Sequence, residues 1–165
     1  MPMHIRPATH DDASLLAEII CHSFKDVADR FELTPGNAPT HPSNCTPDWI
    51  VSAFDKGARY FVVECDGEAC GCVAMEVAGP DRCYLERLAV LPAHRFRGIG
   101  KRLIHHVARE AKAQGLRRIE IAIIAEHTQL RRWYEALGFK VTETKTFEHL
   151  PFEVVFMALH LSDEG

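Results

Sequence analysis

The seven residues Arg95-Phe96-Arg97-Gly98-Ile99-Gly100-Lys101 place two glycines among three cations. They stand between an apolar run, Tyr84 to Leu91, that reads as a strand and an amphipathic run that reads as a helix. A strand that ends in a basic, glycine-punctuated turn followed by a helix start is suited to hold a pyrophosphate. Free N–H groups of the first helical turn and the positive end of the helix dipole attract an anion, and glycines remove the Cβ atoms that would keep it away. Two nucleotide-binding loops fail at definite letters. A dinucleotide fingerprint starting at Gly98 needs a third glycine where Leu103 stands, and a P-loop ending at Gly100-Lys101 needs glycine at Arg95 and Ser or Thr at Arg102.

What remains, Arg-x-x-Gly-x-Gly at Arg95, Gly98 and Gly100, resembles the acetyl-CoA pyrophosphate motif of the GNAT N-acetyltransferase superfamily. A second stretch, Thr128-Gln129-Leu130-Arg131-Arg132-Trp133-Tyr134-Glu135-Ala136-Leu137-Gly138-Phe139, is similar to the superfamily's Asn-x-x-Ala-x-x-x-Tyr-x-x-x-Gly-Phe segment. Leu85 to Pro92 also resembles the strand that leads into the pyrophosphate loop, so the specific likeness runs from about Tyr84 to Phe139. The N-terminal third matches only in layout. Two letters depart from the pattern: His127 stands where asparagine is usual, and Leu130 replaces a small alanine.

The resemblance implies an acyl-CoA-dependent N-acetyltransferase with acetyl-CoA as cosubstrate and direct transfer to an amine in a ternary complex. A non-catalytic acetyl-CoA-binding regulatory module is the alternative. In this fold the strand before the phosphate loop splays from its neighbour and the pantetheine arm bonds to its main chain, which points to Leu88, Ala89 and Val90. Arg95, Arg97, Gly98, Ile99, Gly100 and Lys101 would surround the pyrophosphate, and His127 would take over the asparagine's bonds, since imidazole can both donate and accept. His41, Asn44 and Cys45 in one loop and His149 in another fall where family members build the acceptor site.

Acetyl transfer to an amine poses two proton problems: an ammonium of pKa ~10 must lose a proton to attack, and the leaving thiolate gains one. Tyr134 matches the family tyrosine beside the thioester sulfur, and a phenol of pKa about 10 stays protonated at neutral pH and can act as the acid. Glu86, two residues before Leu88, is the leading base. Glu120 is a weaker candidate, and Ala122 occupies the place where other members carry a catalytic glutamate.

The 165 residues, 47% of them hydrophobic, suit one domain over 1–165 with a single sizeable core. A formal charge of −4 argues against nucleic-acid binding and favours a cationic acceptor, a small-molecule or peptide amine. With no apolar leader at the start and no apolar run near the ~20 residues of a membrane span, a cytoplasmic protein without membrane contact is expected. Six cysteines contain no CxxC pair and no zinc spacing with histidine, so they read as buried structural thiols and no metal is expected. Dimerisation is common in the resembled family, with the final strand as the expected partner surface.

The elements that must position these residues follow from periodicity. Ile5-Arg6 begins a strand, and Leu15, Leu16, Ile19 and Ile20 predict a helix running towards Phe24. Thr34 to Pro47, dense in Pro, Gly and Asn, predicts a long exposed loop, and Pro47 opens a short helix with Trp49, Ile50 and Phe54 on its apolar face. Tyr60–Cys65 and Ala69–Val77 flank Asp66-Gly67 as a hairpin. Tyr84–Leu91 adds a strand, the helix after Gly100 stops at Gly115, and Ile119 to Ile123 alternates as a strand. Leu130, Trp133, Tyr134 and Leu137 mark a helical stripe, Phe139–Thr144 a strand, and Phe152–Leu161 a strand apolar on both faces. The result is an α/β fold whose central sheet is mixed, mostly antiparallel and flanked by helices.

Overall fold

Apolar runs of period two, cut by turn residues, assemble into one seven-stranded sheet in the computed structural model, which describes residues 2–161. The tail Ser162 to Gly165, expected to be loose, lies outside the described residues. Strands β1 (Met3–Pro7), β2 (Arg59–Cys65), β3 (Glu68–Val77) and β4 (Arg82–Val90) form an antiparallel run. β5 (Arg118–Ile124) joins β4 in parallel, and β6 (Lys140–Thr146) closes the far edge with β7 (Glu153–His160) inserted between it and β5. All but the β4–β5 pairing are antiparallel, the mixed sheet that the sequence implies.

Alternation along the central strands divides the core into two layers. Tyr60 and Val62 of β2, with Cys72 and Ala74 of β3, meet helices α1 (Ala13–Arg30) and α2 (Pro47–Asp55) through Leu16, Ile20 and Ile50. Phe61, Val63, Val73 and Met75 face the other way, onto Leu103, Ile104 and Val107 of α3 (Ile99–Ala113) and Tyr134 of α4 (Thr128–Ala136). Asp66 and Gly67 both take positive φ, 54° and 84°, as a two-residue hairpin turn requires.

Three expectations are corrected. α1 continues past Phe24 to Arg30 because Val27 and Ala28 extend its apolar stripe, with Ala28 buried. Thr34 to Pro47 is a mostly exposed loop, but it is pinned to the core, since Ala38, His41 and Cys45 are buried and Pro42–Asn44 forms a short 3-10 turn. The final strand offers no free edge, because β7 is apolar on both faces as an interior strand and the exposed edge belongs to β6.

Two irregularities shape β4. Cys72 pairs with Ala89 and Ala74 with Glu86, so Val73 faces two residues, Arg87 and Leu88, and β4 bulges there. Arg87 sits at φ 53°, a costly conformation for a side chain of its size. Its guanidinium donates to the Tyr60 hydroxyl at 2.5 Å and lies 5.6 Å above the Trp49 ring, which holds the bulge against α2. Further on, Gly71 of β3 faces Val90, and a Cβ at Gly71 would stand 2.7 Å from the Ala89 carbonyl oxygen. The two backbones approach this closely only because glycine is there.

Gly71→Ala is therefore expected to lower stability by ~1–3 kcal/mol through overpacking. For a chain of this length that means a fall of roughly 5–10 °C in Tm at the upper end. Gly67→Asn, at an open turn position with tolerated positive φ, should move Tm by no more than about 2 °C. Equal effects of the two substitutions, measured by thermal unfolding, would remove the close-approach argument.

Candidate active site

β4 and β5 pair only at Arg82–Arg118, Cys83–Ile119 and Tyr84–Glu120. Beyond that fork the strands part, and Leu85 to Val90 face a cleft of about 990 Å³ whose opposite wall is Ile121 to Ile124 with Val154 and Phe156 of β7. Main-chain groups of β4 that point away from β3 have no strand partner across this gap. An extended ligand could take up the vacant ladder positions.

At one end the cleft meets the start of α3. Pro92–His94 makes a 3-10 turn, Phe96 takes φ 65° and lies fully exposed, and Gly98 is the N-cap in the left-handed region at φ 77°. Gly98 carries no capping side chain, so the first amides of α3 at Ile99, Gly100 and Lys101 are left to an incoming anion. The two glycines act differently. Gly98 supplies the backbone conformation and has open space around it, whereas a Cβ at Gly100 would press on the Trp133 ring at 3.2 Å. Gly100 thus lets α4 close against α3 beside the loop.

The cations of the loop also differ. Arg95 donates to Asp26 at 2.6 Å, to the Ser23 carbonyl at 2.7 Å and to the Val90 carbonyl at 3.3 Å, tying the end of β4 to α1. This pairing holds the Asp26 carboxyl below the ordinary range. Lys101 lines the cleft and is exposed.

α4 presents Tyr134 from the side wall. Its ring is buried edge-on between Trp133 and Phe139, at centroid distances of 5.0 and 5.2 Å. Among the described residues its hydroxyl has no hydrogen-bond partner although the side chain lines the cleft, and burial alone drives its pKa well above that of an ordinary phenol. His127 is the N-cap of α4: Nδ1 accepts the Leu130 amide at 3.4 Å. Burial, then the charge of Arg30, keep this imidazole neutral by lowering its pKa, so it accepts the helix bond that asparagine would accept.

The two carboxylates near the fork stand in contrasting settings. Glu120 is held by Arg82 at 3.0 Å and by Arg118 at 3.1 Å. Among the described residues Glu86 has no ion-pair partner. Glu86 is an exposed residue, yet desolvation by its surroundings and then the nearby Glu76 carboxylate raise its pKa, with Arg87 opposing. Glu86 also borders a second pocket of about 340 Å³, shared with Asp48, Glu76, Lys56 and Arg87.

The remaining candidates divide. His41 lines the cleft, packs edge-on to Phe24 at 5.9 Å and is kept neutral by burial. Arg97, Asn44, Cys45 and His149 are not part of the cleft wall among the described residues. Asn44 Nδ2 donates to the Ala38 carbonyl at 3.0 Å, and burial pushes the Cys45 thiol up to about 11, so it stays protonated at neutral pH. In the Phe147 to Pro151 connection it is Leu150 that reaches the cleft, followed by Phe152, while His149 is exposed. Sequence reading missed the wall built by Phe24 and Val27. Their continuing helical spacing after Ile20 was the available signal.

Comparison with known proteins agrees with this geometry. The family model for the Acetyltransferase (GNAT) family matches residues 23–139. An uncharacterised N-acetyltransferase of Mycobacterium tuberculosis is 27% identical over 143 residues, covering 82% of this chain and 88% of that protein. N-alpha-acetyltransferase 40 of Saccharomyces cerevisiae is 34% identical over 97 residues, 54% of this chain, which spans only 33% of the yeast protein. Among solved structures, the ribosomal-protein-S18-alanine N-acetyltransferase of Escherichia coli shares the fold with a TM-score of 0.77 at 18% identity, over 99% of this chain and 97% of that one. The PaiA N-acetyltransferase of Thermoplasma acidophilum, in complex with coenzyme A, gives 0.75 at 17% identity over 97% and 99%. A putative acetyltransferase of Salmonella typhimurium with acetyl-CoA gives 0.69 at 21% over 100% and 97%. A forked β4–β5 pair, an uncapped, glycine-flanked helix start and a family match across most of the chain converge: this protein belongs to the GNAT family of acetyltransferases.

Proposed function

We propose that this protein moves the acetyl group of acetyl-CoA onto a primary amine of a small molecule or peptide, by direct attack with both substrates bound. The observation that carries the reading is the fork after Tyr84 and Glu120, which opens β4 main-chain groups towards a cleft that ends at the uncapped start of α3. Relatives of the fold that hold coenzyme A or acetyl-CoA support the cosubstrate.

In this reading Leu88, Ala89 and Val90 receive the pantetheine arm along their main chain. The amides of Ile99, Gly100 and Lys101 receive the pyrophosphate, with Lys101 adding positive charge around it. Arg95 serves by fixing the loop to α1, because its donors are spent on Asp26, Ser23 and Val90. Glu86 takes a proton from the incoming ammonium, directly or through water. The amine nitrogen then bonds to the thioester carbonyl carbon, the carbon–sulfur bond breaks, Tyr134 gives its proton to the departing sulfur, and the former amine nitrogen passes its remaining extra proton to the Tyr134 phenolate as the neutral amide forms, while Glu86 releases its proton to solvent. Glu76 and Asp48 close to Glu86 favour a cationic acceptor, and His41 lines the approach.

Tyr134→Phe removes no hydrogen bond from the fold, so Tm and acetyl-CoA affinity should stay near wild type while kcat falls by ~10²–10⁴. Unchanged turnover, followed as CoA release over an amine panel, would reject the acid role, and loss of kcat together with affinity would point to a packing role instead.

The raised pKa of Glu86 gives two linked expectations. kcat/KM should climb with pH and level off only above the usual glutamate range, and Glu86→Gln should abolish that limb with a loss of ~10² in rate. Because a carboxyl with a raised folded pKa weakens the fold as pH rises through its unfolded pKa, Glu86→Gln should leave Tm equal or slightly higher at neutral pH. A variant with the wild-type pH profile would exclude Glu86 as the base.

Cofactor choice is read by thermal unfolding with acetyl-CoA, NADH and ATP. Acetyl-CoA near ~100 times Kd should add ~2.7 kcal/mol, a rise of roughly 5–10 °C, with no comparable rise from the others. Gly98→Glu should cancel it. An undiminished rise in that variant would rule out the α3 start as the phosphate site.

A further inference from the structure

The cysteines of this chain follow no metal-binding spacing, and all six are free thiols. Folding nevertheless gathers three ligand types at the closed end of the β2–β3 hairpin. Cys65 ends β2, Cys70 is the extra residue where the register slips between Val63–Gly71 and Glu64–Ala69, and His94 ends the 3-10 turn after β4. The slip leaves Cys70 without a ladder partner, and its thiol donates to the Val63 carbonyl at 3.6 Å. One ligand atom from each of Cys65, Cys70 and His94 lies within 4.8 Å of the other two.

The placement is built by main chain. The Leu91 amide donates to the Cys70 carbonyl at 2.9 Å and the His94 amide to the Leu91 carbonyl at 2.8 Å, locking the turn onto the hairpin. Cys65 and Cys70 are 3% and 0% exposed. His94 Nδ1 is buried without a hydrogen-bond partner, an unsatisfied state that a native fold seldom leaves unexplained. Tetrahedral zinc, with Zn–S ~2.3 Å and Zn–N ~2.0 Å, holds its ligand atoms roughly 3.5–3.8 Å apart. Side-chain rotations that draw the three atoms in by about 1 Å would reach that geometry.

We propose that Cys65, Cys70 and His94 form a Cys2His site for Zn²⁺, with water in the fourth position. Two thiols release their protons to solvent, the thiolates and the neutral imidazole each donate an electron pair, and no redox change takes place. Two thiolates cancel the charge of the ion, which suits a dry setting. His94 also lines the large cleft immediately before the Arg95 loop. Bound zinc therefore staples the hairpin to the segment that enters the phosphate loop.

The full chain, stripped of metal and kept reduced with a phosphine, is titrated with Zn²⁺ against a chromophoric chelator and separately with Co²⁺. About one equivalent of zinc should be retained at micromolar free metal, and cobalt should show thiolate-to-metal charge-transfer absorption. Cys65→Ser and Cys70→Ser should each weaken zinc by roughly 100-fold and remove the absorption, His94→Gln should weaken it by at least about 10-fold, and Cys21→Ser should change neither. Failure of the unsubstituted chain to retain zinc, a result that depends on no variant's folding, would overturn the site and leave the cluster as core packing. Stoichiometric zinc that survives Cys65→Ser with Cys70→Ser would overturn it equally.

Discussion

The parting of β4 from β5 after three paired residues is the constraint on which the rest of this structure depends. Parallel strands that stayed paired would satisfy each other's amides and carbonyls and leave no cleft. Once they part, unpartnered main-chain groups must find water or ligand, because an unmet buried polar group is costly. β4 is held away from β5 by contacts on its other flank: the Arg87 bulge braced by Tyr60 and Trp49, the Gly71 approach, and the Arg95 clamp onto α1. The cleft is thus an outcome of how β4 is gripped from behind.

The same fork sorts the ionisable groups. Glu120, at the last paired position, is neutralised by two guanidiniums, while Glu86, two residues beyond the pair, is left with a neighbouring carboxylate and a raised pKa. Across the cleft a phenol with no hydrogen-bond partner among the described residues is kept protonated by burial. The two groups line one cleft, a carboxylate made more basic and a phenol held in its protonated form. Cys45 and Cys72, buried and high in pKa, have no such exposure to reactants.

Much of the architecture was legible because its signals are local. Asp66-Gly67 demanded a hairpin, the isoleucines of β5 alternated, and the stripe of α4 repeated at helical spacing. The errors had physical causes. Thr34 to Pro47 has loop composition, yet Ala38, His41 and Cys45 are buried by α1, a non-local contact that composition does not report. The last strand was legible as buried from its two apolar faces, but its place between β5 and β6, which removes it as a free edge, is a pairing order that its own residues do not report.

Letter types and spacing alone determined the glycine-flanked helix start after β4, the family segments and the tyrosine of α4, because each is a short stretch whose backbone needs are met within itself. Tertiary structure alone decided the work of individual side chains. It turned Arg95 into a clamp, assigned Gly100 to the Trp133 ring, made His127 a helix cap, and set Cys65, Cys70 and His94 within reach of one another. These roles depend on partners distant in sequence, and the separation of two strands brings such partners together or apart without leaving a periodic mark on the chain.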